Sequence, residues 1–295
     1  MNKKHIFYFS KKTREIIDYS IAENKKRTIF KIEFEPHEIL WSPRKDKAMI
    51  RSKEGYYLFD LLNKTIHQLS KNIYYISWSP SGNKIAYQYL SALAEKNFIS
   101  ISDPDGSNWR NIVDFSESKD FETGILTTWS LDEKSIFYSF EASDVSDSAY
   151  YKVDLETGTK TDLSDWGYLV DFRFLPKSKK ILFTIFKEEI EIPELWIMNK
   201  DGSNRQYVGI DSFVCKCVWK NDEKTAICAI SEDVHSYRSN DILIQVDLKT
   251  KEKKQITGIV ENQPINVRDL FLSLDEKDLF FVNNIDGKLY KLSLE

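Results

Sequence analysis

A short phrase, clearest as Ile76-Ser77-Trp78-Ser79-Pro80-Ser81-Gly82-Asn83-Lys84-Ile85-Ala86-Tyr87, returns along this 295-residue chain. Anchored on its tryptophan, the copies fall at Trp41, Trp78, Trp129, Phe174, Trp219 and Leu272. A large apolar residue is kept wherever tryptophan is lost. The anchors lie about 37 to 53 residues apart, which suits a four-stranded propeller blade. Helix-pair solenoids would need long stretches of 3.6-residue periodicity, and these are absent. A repeat of this length means small sheets that cannot bury their own faces alone and must stack.

After each anchor comes a turn, such as Ser79-Pro80-Ser81-Gly82 or Ser130-Leu131-Asp132-Glu133, rich in residues that end one strand and start another. An apolar strand follows, such as Ile136-Phe137-Tyr138, Ile181-Leu182-Phe183 or Leu279-Phe280-Phe281, without polar alternation, as in a strand covered on both faces. The third strand, for example Tyr150-Tyr151-Lys152-Val153-Asp154, leads into a turn such as Glu156-Thr157-Gly158 or, after Leu195–Asn199, Lys200-Asp201-Gly202. A more polar fourth strand, such as Lys160-Thr161-Asp162-Leu163, suits the water-facing edge.

This ordered phrase resembles the repeats of TolB-like β-propellers, with their Trp-Ser-Pro-Asp-Gly turns, over roughly residues 36–295. The resemblance and the spacing together predict an all-β fold: a six-bladed β-propeller of four-stranded antiparallel blades, in one domain spanning 1–295. The six repeats occupy 36–295. Residues 1–35 supply N-terminal strands, and Arg27–Phe34 is expected to close the ring as the missing fourth strand of the last blade. The hairpin at His5–Phe9 and Glu15–Ser20 is one too many for six blades, so seven blades is the alternative.

The formal charge of −4 and pI near 5.8 argue against a nucleic-acid binder, which concentrates basic residues on one face. No apolar run approaches a membrane span, and Met1-Asn2-Lys3-Lys4 does not open a secretory signal. The chain as it stands reads as cytoplasmic, with export the alternative if a leader was removed. Cys215, Cys217 and Cys228 read as small buried hydrophobes. A 217–228 cross-strand disulfide is the alternative, in an oxidising compartment. His5, His37, His67 and His235 show no metal-ligand spacing, and nucleophile elbows, phosphate loops and dinucleotide fingerprints are absent. No metal or cofactor is expected. Asp103-Pro104-Asp105-Gly106-Ser107-Asn108 and its counterpart at Asn199–Asn204 read as hairpin turns rather than calcium loops.

Long loops between second and third strands, at Gln88–Asn97, Glu141–Ala149, Lys187–Pro193 and Ser231–Asp241, share one face with the inter-blade connections. Such loops carry function. The inner strands begin there, and the residues three before each anchor are Glu38, Tyr75, Leu126, Asp171, Lys216 and Asp269, with Arg173 and Arg268 beside them. Charges so placed either pair to line a wet tunnel or mark a site. Trp166, Tyr168, His235 and Tyr237 add adhesive chemistry at the same mouth. The expected function is a non-catalytic, monomeric, protein- or peptide-binding scaffold. The alternatives are a carbohydrate- or peptide-processing enzyme using Glu38, Asp171 or Asp269 as acid and base, or a purely structural scaffold.

Overall fold

A computed structural model describes residues 5–117, 124–140, 150–163, 169–175, 177, 179–186, 192–231, 240–256 and 264–294, with backbone alone for Leu169, Val170, Asp171 and Phe186. Its strands make seven antiparallel sheets, the blades of a seven-bladed all-β propeller. Two compact units divide them, with the first four blades in one and the last three in the other.

In the first unit, blade 1 holds β1 (His5–Ser10), β2 (Glu15–Ser20) and β3 (Lys25–Lys31), and blade 2 holds β4 (Glu38–Trp41), β5 (Lys47–Ser52), β6 (Gly55–Asp60) and β7 (Thr65–Gln68). Blade 3 is β8 (Ile73–Trp78), β9 (Ile85–Ser91), β10 (Lys96–Ser102) and β11 (Arg110–Asp114). Blade 4 is β12 (Ile125–Trp129), β13 (Ser135–Phe140), β14 (Tyr150–Asp154) and β15 (Lys160–Asp162). In the second unit, blade 5 is β16 (Leu169–Leu175), β17 (Lys180–Phe186), β18 (Pro193–Asn199) and β19 (Gln206–Asp211). Blade 6 is β20 (Cys217–Trp219), β21 (Thr225–Ser231), β22 (Asp241–Asp247) and β23 (Lys253–Gln255), and blade 7 is β24 (Val267–Leu272), β25 (Asp278–Asn283) and β26 (Leu289–Ser293).

The core lies between successive sheets. Met49, Tyr56, Leu69, Ile76, Ile85 and Tyr87 fill the space between blades 2 and 3. Leu182, Leu195, Val208, Val214, Cys217 and Cys228 do the same between blades 5 and 6. Second strands are the most sealed, with Ala48, Met49 and Ile50 wholly buried, as their unbroken apolar sequence requires. The anchor indole of Trp78 donates from Nε1 to the Leu40 carbonyl of the preceding blade, so it bonds between sheets as well as packing.

The turns after the anchors also tie blades together. Each places one residue in the left-handed region: Lys45, Gly82, Glu133, Lys179, Glu223 and Glu276. At Gly82 a Cβ would come within 3.4 Å of Arg44 in the turn of blade 2, so glycine suits both the φ of +71° and the close approach. Where glutamate stands instead, its carboxylate reaches back to an amide of the preceding turn. Glu133 accepts from Ser81, Glu223 from Lys177 and Glu276 from Asn221.

Three expectations are corrected here. The blade number is the alternative one, seven rather than six, because β1, β2 and β3 form a sheet of their own. The segment expected to close the ring instead pairs with β2, in the register Ile16↔Phe30 and Asp18↔Arg27. Ile16 and Ile32 then pack on Ile50 and Phe59 of blade 2, and that burial fixes its place. The stretch Gln88–Asn97 is not a long loop either, because β9 and β10 run on through it and meet at a single 3-10 turn, Ala92–Ala94. The cysteine alternative is the one realised. Cys217 and Cys228 face each other across β20 and β21, wholly buried and disulfide-bonded, while Cys215 is exposed.

Candidate functional site

The entry ends of the inner strands carry the candidate residues, and each unit arranges its own set. In the first unit Glu38 opens β4, exposed and directly opposite Arg51 of β5. Tyr56 couples this pair to blade 3. Its hydroxyl lies against the backbone amides of Ile76 and Tyr75, and its acidity is pushed down by burial first and by the Glu38 charge second. Tyr75 sits at φ +51° where β8 slips register between Tyr74 and Ser77, so the strand bulges at this candidate. Tyr74 and Leu126, near the starts of β8 and β12, are 39% and 43% exposed. Glu38, Tyr74 and Leu126 thus give this edge an acid, an aromatic and an aliphatic surface.

In the second unit Lys216 holds a buried carboxylate. Its Nζ lies 2.8 and 3.0 Å from the two Asp241 oxygens, and Asp241 Oδ2 also accepts the Val267 amide at 2.6 Å. Asp241 is fully enclosed and the Lys216 side chain is 19% exposed, and the enclosed carboxylate makes Lys216 a structural cation. Arg268 and Asp269 follow Val267 directly. Their side chains lie 3.7 Å apart, with Asp269 71% exposed and at φ +53°, in a second inner-strand bulge. Arg173 is exposed on β16, opposite Leu182. Asp171 pairs with Thr184 through its backbone, and its side chain lies outside the described residues, as do Trp166, Tyr168, His235 and Tyr237.

The Asp241 arrangement recurs. Gln88 Oε1 accepts the Ile125 amide at 3.2 Å while its Nε2 donates to Asn97, and Thr184 Oγ1 accepts the Val214 amide at 2.8 Å. In each case a buried polar side chain at the end of one blade receives the chain entering the next. Among the described residues no three His, Cys, Asp or Glu side chains gather as a metal centre would require. A shallow groove lined by Thr225, Gln245, Asp247, Glu252, Lys253 and Lys254 lies on blade 6, away from the inner-strand ends in its sheet.

Residues 37–293 match the family model described as dipeptidyl peptidase IV (DPP IV) N-terminal region. The chain belongs to this family. No curated protein matches it. Among solved structures, this DPP IV N-terminal-region chain is similar to an oligogalacturonate lyase from Vibrio parahaemolyticus, with 8% identity and TM-score 0.67 over 99% of this chain and 91% of that one. It is similar to TolB from Acinetobacter baumannii, with 13% identity and TM-score 0.57 over 88% of this chain, and it spans 64% of that TolB. The β-propeller domain of the Trilobed protease from Pyrococcus furiosus matches with 14% identity and TM-score 0.53 over 100% of this chain and 83% of that one. Identities this low establish the propeller fold and leave activity to the site.

On this DPP IV N-terminal-region fold, sequence reasoning missed Tyr56, Gln88, Thr184 and Asp241. For Gln88 and Thr184 a signal existed. Each directly follows the apolar triplet of a second strand, Ile85-Ala86-Tyr87 and Ile181-Leu182-Phe183, where a polar residue must find a buried partner.

Proposed function

We propose that the chain is a non-catalytic, TolB-like binding module that holds a protein or peptide on the entry ends of its inner strands. One observation carries the reading. The buried polar groups at these ends are committed to joining blades, whereas Glu38, Tyr74 and Leu126 of the first unit and, separately, Arg268 and Asp269 of the second stay exposed; the first set mixes charge with apolar surface, which suits recognition. Acid–base chemistry on a sugar needs two carboxyl groups facing one bond. Among the described side chains each unit offers one of the candidates, Glu38 beside Arg51 or Asp269 beside Arg268. The Cys217–Cys228 disulfide favours the exported alternative, since such bonds persist in oxidising compartments.

A second reading, carbohydrate processing, draws on the likeness to the oligogalacturonate lyase. Affinity capture with the wild type, Glu38→Lys and Asp269→Lys, run beside an assay for cleavage of oligogalacturonate, separates the two. A partner retained by the wild type and lost by a charge reversal supports binding. Cleavage that Glu38→Gln or Asp269→Asn abolishes overturns it.

A further inference from the structure

We propose that Cys215 is an exchange thiol, which opens the buried Cys217–Cys228 disulfide by intramolecular attack and passes it to a dithiol in solvent, so that the bond can be removed without unfolding. Both residues of that bond are wholly buried in the core between blades 5 and 6, where a thiolate from solvent has no direct path. Cys215 is outside the bond and exposed. It lies in the 3-10 turn Val214–Lys216 that leads into β20, and this turn rests on β16, β21 and β24. A thiol that solvent reaches thus stands two residues from a disulfide that solvent does not.

The spacing is set locally. Cys217 donates its amide to the Val214 carbonyl and closes the turn, and Lys216 inside it is held by both Asp241 oxygens. In 3-10 geometry, residues two apart have Cα atoms about 5 Å apart, within the roughly 4.4–6.8 Å that a disulfide spans. The sulfur to be attacked is close to the same turn, with Cys217 Sγ 3.5 Å from the Phe213 carbonyl oxygen at its head. The Cys215 thiolate forms a bond to Cys217 Sγ, the bond from Cys217 to Cys228 breaks, and Cys228 leaves with the electron pair and takes up a proton. Cys228 then packs as a small hydrophobe in the cluster of Leu182, Leu195 and Val246. The new Cys215–Cys217 bond carries an exposed sulfur. One thiolate of a dithiol attacks Cys215 Sγ and Cys217 leaves, after which the second thiolate closes the dithiol's own disulfide and returns Cys215 as a thiol. Two electrons pass from the dithiol to the protein disulfide, and Cys215 ends as it began.

The test follows loss of the disulfide from the folded full-length chain in dithiothreitol without denaturant, by alkylating the released thiols and weighing the protein. Cys215→Ser and Cys215→Ala should lose the bond at least about tenfold more slowly than the wild type, because a thiol held beside its target outpaces one that must diffuse in. Their urea midpoints should match the wild type, which separates a missing nucleophile from a change in stability. A second variant tests reach alone. Cys228→Ser treated with oxidised glutathione should join Cys215 to Cys217, seen by peptide mapping. Equal reduction rates in the wild type and both Cys215 variants, a slower rate matched by a raised urea midpoint, or a Cys228→Ser chain that leaves Cys215 and Cys217 unjoined each overturns the proposal.

Discussion

Asp241 shows how a single residue decides what Lys216 can do. A carboxylate with no exposed surface carries the charge of Lys216 and the amide of Val267, so removing it strands a shielded ammonium and an amide at once. Breaking such a pair costs about 3–5 kcal/mol. Asp241→Ala should therefore lower the unfolding free energy by about that amount in urea titrations. Lys216→Met should fall in the same range, and the double variant should lose less than the two singles together, because the partners form one unit. Glu38→Gln, on an exposed strand end opposite Arg51, should change stability by less than about 1 kcal/mol. Equal losses for Lys216→Met and Glu38→Gln would contradict the separation of structural from surface charge.

At the scale of strands and blades, the parts legible in the sequence were the local ones. Anchors, turns and apolar second strands fell where expected because each is set by a few neighbouring residues. The blade count was less legible for a physical reason. The repeated phrase sits on the inner strand and the turn after it, and blade 1, made of β1, β2 and β3, has no such strand among the described residues to carry a copy. Two inner-strand candidates, Tyr75 and Asp269, sit at register shifts, where the backbone departs from the strict alternation that a reading of the sequence assumes. The β20–β21 hairpin shows a pairing that was readable: opposing Trp219 and Ala226 sets Cys217 against Cys228. The disulfide joins residues 11 apart, for which loop-closure entropy gives about 3 kcal/mol. Reductant, or Cys217→Ala with Cys228→Ala, should lower the urea midpoint correspondingly while Cys215→Ser leaves it unchanged. An unmoved midpoint in the double variant would show that the bond contributes nothing.

Across the whole molecule the third strands of blades 2, 4 and 6 end in the same device, and it gives the chain a common response to acid. Asp60, Asp154 and Asp247 each turn a carboxylate back onto two amides of the following turn. Those bonds hold their acidities below the ordinary carboxylate value, chiefly through the amides of Asn63, Thr157 and Thr250. Asp201 and Asp275 are held down in the same direction by the hydroxyls of Ser203 and Ser273, and Asp103 by Lys84. A carboxyl group that is more acidic folded than unfolded binds fewer protons in the folded state as the solution is acidified. Its contribution is therefore complete above the unfolded value of about 3.9 and is lost as the pH drops through the lower folded values. Unfolding free energy measured in urea should be flat with respect to these groups from pH 7 to about 5 and decline below about 4. Asn at positions 60, 154 and 247 together should make that decline shallower, since an amide oxygen can still accept the turn bonds but no longer titrates. An acid limb identical in slope for wild type and triple variant would show that other carboxylates govern the loss.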